Sequence, residues 1–245
     1  NTGDEHWARA VRDAFDPFYR HNRPPLGKVR DAKARGMWHV LGAGASVPFL
    51  VESYATVADS SSWTDADHAT FWKAMLERGR YLRYTSQPVG PWLEYNPFCY
   101  GNWLLYQLQG LLAIAATFPE FSEADEWLAH ASFGIGQHGD WVVMPDSGFD
   151  EYSTSYAGQV AGQMEFCYNT FVRHGLPLPP RFRDNVLRLH ELFLKTAHPA
   201  GIRMTFGDTH RGGDIGASPS RWAALAFLDA RFKHFSGPIT DEYIE

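Results

Sequence analysis

The sequence predicts an all-α fold of antiparallel helical hairpins. Apolar residues recur at helical spacing nearly throughout, and no stretch shows the sustained alternation of a strand. The helices are joined mostly by short connections, which favours antiparallel pairs.

The first predicted helix carries the stripe Trp7, Val11, Phe15 and Phe18. The second carries Leu50, Tyr54, Val57 and Ala58. The third has a marked start, because Thr64 and Asp67 have capping-box spacing with Asp in place of the usual Glu or Gln. Its stripe is Phe71, Trp72, Met75, Gly79 and Leu82. Leu104, Leu108, Leu111, Leu112, Ala115 and Phe118 make the fourth, and Pro119 closes it. Ser122 and Asp125 open the fifth, with Trp127, Leu128, Ala131 and Ile135. The sixth reads Tyr156, Val160, Met164, Cys167 and Phe171 and ends at His174-Gly175. Pro179-Pro180 opens the seventh, with Phe182, Val186, Leu189 and Phe193. Ser218 before Pro219 reads as the cap and first turn of the eighth, which runs through Trp222, Leu225, Ala226 and Phe232. Four longer connections, 23–44, 85–101, 137–153 and 199–218, are rich in Gly, Pro, aromatic and polar residues. Loops on a rigid scaffold are where function concentrates.

No internal boundary interrupts the pattern, so residues 1–245 read as one domain. The 22 basic and 28 acidic residues leave a net charge of −6, which argues against nucleic acid as a partner. No apolar run is long enough to span a membrane. Cys99 and Cys167 lie far apart, and no Cys/His spacing suggests zinc, so neither metal nor cofactor is expected. Aromatic residues reach 15%, which suits ring-shaped ligands such as sugars and also suits helix packing.

Three clusters carry possible chemistry. The first, residues 92–103, brings five aromatics and two Asn to the start of an apolar helix. Asn102 can donate its amide to an anionic or carbonyl oxygen; the plainer alternative makes it the helix N-cap. The second, residues 146–156, packs three carboxylates, four hydroxyls and two phenols into a helix entrance. Tyr156 there is either a proton shuttle or a core residue. The third, residues 206–214, offers Arg211 as a carboxylate clamp and His210 as acid or base, or else a solvated turn.

Taken in order, Gly-Asn-Trp at 101–103, Pro-Asp-Ser-Gly at 145–148, Glu-x-Ser-x-x-Tyr at 151–156 and Phe-Gly-Asp at 206–208 resemble the helical domain of the heparinase II/III-like and alginate lyase-like polysaccharide lyases. Val51-Glu52-Ser53-Tyr54, followed by Trp63-Thr64-Asp65-Ala66-Asp67, is similar to that family's early hairpin. The resemblance runs from about residue 47 to 213. It implies an incomplete (α/α) toroid of antiparallel hairpins whose loops line a cleft. It implies β-elimination on a uronic-acid-containing polysaccharide, without a cofactor, in a periplasmic or secreted setting. By this resemblance Asn102 neutralises the substrate carboxylate. Tyr156 protonates the departing oxygen and is also a candidate base. Glu151 orients Tyr156 or a sugar hydroxyl. Tyr100, Trp103, Asp208, His210 and Arg211 complete the expected substrate-binding set.

The chain departs from the family pattern in three ways. Ala157 stands where a His often follows the motif Tyr, which leaves His210 or His138 as a stand-in base. The toroid is short, about four hairpins. The family's usual C-terminal β-sandwich, an expected partner of the site, has no counterpart in the sequence. An acidic substrate on an acidic chain also calls for local positive charge, for which Arg35, Arg203 and Arg211 are candidates. Two other functions fit the residues. One is a non-catalytic carbohydrate-binding domain, for which the aromatic loops suffice. The other is a glycoside hydrolase drawing a carboxylate pair from Asp146, Asp150, Glu151 and Asp208.

Overall fold

The structure is a computed structural model, and it describes residues 4–21, 40–86, 101–197, 204–207, 209 and 217–233. Among the described residues it is all-α. An isolated antiparallel bridge joins Val143 to Phe149. Contacts group the chain into two compact units, residues 1–132 and 133–245.

The first unit holds α1 (Glu5–His21), α2 (Val40–Ala45), α3 (Val47–Val57), α4 (Asp65–Thr85), α5 (Asn102–Thr117) and the first half of α6 (Ala124–Val142). The predicted capping box at the start of α4 is present: Thr64 Oγ1 accepts from the Asp67 N–H at 3.3 Å, and Asp67 Oδ2 accepts from the Thr64 N–H at 2.9 Å. The Glu5 carboxylate accepts from the Ser60 and Ser62 hydroxyls and so ties the α3–α4 turn to the first turn of α1. Tyr54 stacks on Phe71 with ring centroids 4.1 Å apart, and Phe15, Trp63 and Phe118 close around the pair. Much of the aromatic content is therefore core packing. Helix α5 is enclosed on nearly every side from Leu104 to Ala115, as its mostly apolar sequence requires, and Gln107 and Gln109 are buried with it.

Two tryptophans leave their predicted stripes. Trp7 is 61% exposed, and Trp72 is 41% exposed because its indole N–H reaches across the surface to Tyr54 Oη at 2.8 Å. Helix α2 begins within the stretch read as a loop, 23–44, and ends a residue past it. The buried Arg78 sits at its C-terminal end and donates to Ala43 O at 3.2 Å and Ser46 Oγ at 2.6 Å. Those acceptors offset the cost of enclosing a guanidinium, and burial pulls its pKa down.

The second unit holds the rest of α6, α7 (Thr154–Arg173), α8 (Phe182–Lys195), α9 (Ala217–Phe227) and α10 (Ala230–Lys233). Val160, Met164, Cys167 and Phe171 of α7 are buried, as are Phe182, Val186, Leu189 and Phe193 of α8. The end of α7 falls where the sequence places it. Gly175 adopts φ +63°, the Leu176 N–H donates to Phe171 O at 2.8 Å, and the Gly175 N–H donates to Val172 O at 3.2 Å. Three boundaries differ from expectation. Helix α6 continues to Val142 through the predicted loop, and α9 begins at Ala217, a residue before the expected cap. Leu228 adopts φ +53° and ends α9, so Phe232 belongs to the separate α10.

A buried ionisable pair links α7 to α8, with Glu165 Oε1 3.2 Å from His190 Nε2. Trp222 stacks on the imidazole with ring centroids 5.2 Å apart. Burial holds Glu165 up to about 8 and His190 down to about 4. Between those limits the folded pair carries one proton, on the carboxyl. With ordinary values of 4.5 and 6.5, the unfolded chain also carries one proton on the pair between those two pH values, on the imidazole. Above pH 6.5 the unfolded chain releases its proton while the folded chain keeps it. Stability should therefore fall as pH rises from 6.5 toward 8. Glu165→Gln should flatten that limb in urea titrations. A wild-type profile that is already flat there would show that the pair titrates normally.

Candidate functional site

In the first unit, Gly101 is the N-cap of α5 and Asn102 its first helical residue, so Asn102 does not take the cap position. The Leu104 N–H donates to Gly101 O at 3.2 Å. Asn102 is 5% exposed and Trp103 is half-buried. An amide enclosed at a helix N-terminus sits where the helix dipole is positive, a setting that favours a nearby anion. Of the rest of this cluster, Trp92, Tyr95 and Tyr100 lie outside the described residues.

In the second unit, the connection from α6 to α7 is a tight two-turn loop. The Met144 N–H donates to Gly148 O at 2.9 Å, and the Asp150 N–H donates to Val142 O at 3.1 Å. Ser147 is buried in the left-handed region at φ +78°. Its hydroxyl accepts from Lys195 Nζ at 2.7 Å and donates to Glu191 at 3.3 Å, which fastens the turn to α8. Asp146 turns its carboxylate back onto the Gly148 N–H at 2.9 Å. That side chain is spent on the turn. Asp150 is half-buried, and burial first, then the adjacent Glu151, raises its pKa.

Ser153 caps α7, its hydroxyl accepting from the Tyr156 N–H at 3.3 Å. Tyr156 occupies the first turn and is half-buried rather than enclosed in the core stripe. Glu151 is half-buried two residues before the cap. The second and third sequence clusters meet here. Thr209 Oγ1 lies 3.2 Å from the hydroxyls of both Ser153 and Thr154, and the Ser155 N–H donates to it at 3.2 Å. The same hydroxyl donates to Phe206 O at 2.5 Å, and the Phe206 N–H donates to Thr154 Oγ1 at 3.4 Å. The segment around Gly207 is thereby fixed on the entrance of α7. Thr209 was absent from the expected set, because nothing in its sequence context marks a threonine as an anchor.

Asp208, His210, Arg211, Arg203 and Arg35 lie outside the described residues. His138 is fully buried within α6, which removes it as a stand-in base for a polymer. Trp141, near the end of the same helix, is 48% exposed. Cys167 is a buried free thiol, held protonated by its burial, and Cys99 lies outside the described residues. No helix among the described residues is long and apolar enough to cross a membrane.

The chain belongs to the heparinase II/III family: the family described as Heparinase II/III N-terminus matches residues 1–215. A comparison with curated protein sequences finds no match. Among solved structures it is similar to Heparinase III, at 17% identity and a TM-score of 0.77, over 96% of this chain and 35% of that one. It is also similar to the heparan sulfate lyase HepC from Pedobacter heparinus, at 20% identity and a TM-score of 0.72, over 96% of this chain and 35% of that one. At these identities the likeness shows the fold, and that fold is the all-α hairpin toroid predicted from the sequence. The chain spans about a third of the length of these structures, 35% in both.

Proposed function

We propose that this chain is the helical part of a polysaccharide lyase that cleaves a uronic-acid-containing polysaccharide by β-elimination, in the periplasm or outside the cell. The observation that carries the reading is the entrance of α7. There Tyr156 sits in the first turn of a capped helix, five residues after Glu151, and Phe206 and Thr209 are bonded to the same helix entrance. Family membership supplies the reaction class.

The chemistry sets the demands. The proton on C5 lies next to a carboxylate, so its removal builds a second negative charge on an already anionic group. A donor must hold the carboxylate before the base acts. Asn102 is assigned that role, with its amide donating to a carboxylate oxygen. As the C5 proton leaves, the electron pair forms the C4–C5 double bond and the C4–O4 bond breaks. Tyr156 is assigned the protonation of O4, and its deprotonated form is a candidate for the C5 base.

Alginate, glucuronan, hyaluronan and heparan sulfate incubated with the protein test the reading. The expected result is a rise in ultraviolet absorbance from the unsaturated uronate product with one of them. No rise with any of the four would overturn it. New reducing ends without the chromophore would mean a hydrolase, and binding without cleavage a carbohydrate-binding domain.

A further inference from the structure

Tyr152 stands out in the loop before α7. It is 76% exposed, and its backbone lies in the left-handed region at φ +51°. Both features are unfavourable: a large ring faces water, and a non-glycine residue occupies a conformation that favours glycine. Among the described residues the phenol makes no hydrogen bond and no ring contact, so packing does not account for its position. The conformation is nevertheless held from both sides. The Tyr152 N–H donates to Phe149 O at 3.0 Å. Its carbonyl lies against Gly207, itself at φ +61°, where an added Cβ would come within 2.3 Å of Tyr152 O. Phe206, 46% exposed, is fixed at the same helix entrance through its N–H bond to Thr154 at 3.4 Å.

We propose that Tyr152 is a stacking platform for a pyranose ring of the polymer, flanked by Phe206. A pyranose ring presents C–H groups on its face, and these pack on an aromatic face while its hydroxyls stay in reach of polar neighbours. The setting matches that chemistry, with the half-buried Glu151 just before it in sequence and the half-buried Tyr156 four residues on. A purely apolar partner would gain little from a ring so surrounded by polar groups. The assignment rests on the polysaccharide reading above and names the residue that binds the sugar without taking part in the bond cleavage.

Two variants of the full chain separate the ring from the backbone. Tyr152→Gly removes the ring and relieves the strained φ; Tyr152→Phe keeps the ring. Binding to alginate, glucuronan, hyaluronan and heparan sulfate is measured by affinity gel electrophoresis, with melting temperature alongside. For the polymer that wild type binds, Tyr152→Gly is expected to weaken affinity about five- to tenfold with an unchanged or higher Tm. Tyr152→Phe should stay within about twofold of wild type. Where the polymer is cleaved, the loss should fall on KM and leave kcat unchanged. Wild-type affinity in Tyr152→Gly overturns the platform and leaves the lyase reading standing. A lower Tm in Tyr152→Gly also overturns it, since the ring would then be packing on this chain. No binding by wild type to any of the four polymers removes both readings together.

Discussion

Replacing Tyr156 by phenylalanine should cut formation of the unsaturated product by about 10²–10⁴-fold, the range typical of a lost general acid. The ring is kept, and the bond that Tyr156 gives to the start of α7 comes from its backbone N–H to Ser153, so the helix should fold as before. Asn102→Ala should lose about 10²–10³-fold if its amide holds the developing charge. Asn102 is almost enclosed, so that variant needs its unfolding midpoint measured beside its rate. A Tyr156→Phe protein that keeps full activity would remove the phenol from the reaction. Loss of activity in Asn102→Ala with an unchanged midpoint would point to chemistry rather than folding.

The entrance to α7 was partly legible in the sequence. Carboxylates, hydroxyls and phenols crowd residues 146–156 and mark a helix entrance, although which hydroxyl caps it was not singled out. The docking of Phe206 and Thr209 there was not legible. Thr209 makes that contact through a single hydroxyl, and it is 56 residues from Ser153. No periodicity records a bond over that separation. Asp146 shows the opposite case. On residue type it qualified for a catalytic pair, yet its carboxylate closes a turn on Gly148.

Core stripes were read well where burial on one face set the spacing, as in Val186, Leu189 and Phe193 of α8. Two of the boundary differences lie at glycines. Helix α6 runs through Gly134, Gly136 and Gly139, past residue 137 where the loop was expected to begin. Two of them instead lie where another chain segment comes close: a Cβ on Gly136 would stand 2.9 Å from Pro179, and one on Gly139 would stand 3.2 Å from Asn185 and from Met164. Helix α2 was missed for the same reason. Two glycines in Val-Leu-Gly-Ala-Gly-Ala read as loop by propensity, which disfavours Gly in helices by about 1 kcal/mol. Propensity does not register how near the next helix runs.

That proximity gives the second large effect. Gly44→Ala should destabilise the first unit by about 3 kcal/mol, although alanine is the better helix former. An added Cβ would fall 2.2 Å from Tyr106 O, 2.5 Å from Tyr106 C and 2.8 Å from Gln107 Cα, all backbone atoms of the enclosed α5. A side chain could rotate aside; a buried helix backbone cannot. Helix α2 would have to withdraw by about an ångström, loosening the acceptors that Arg78 finds in Ala43 and Ser46 and leaving a buried guanidinium poorly satisfied. The clash and the lost bonds together exceed the propensity gain of about 1 kcal/mol. Gly110→Ala faces Gly44 O and the movable end of Leu82, each at 3.0 Å, and should cost about 1 kcal/mol. Gly162 is exposed within α7 with nothing inside 4 Å of its missing Cβ, so Gly162→Ala should stabilise by up to about 1 kcal/mol. Urea midpoints for the three variants should order as Gly162→Ala above wild type, then Gly110→Ala, then Gly44→Ala. A Gly44→Ala midpoint at or above wild type would mean that α2 and α5 do not cross this closely.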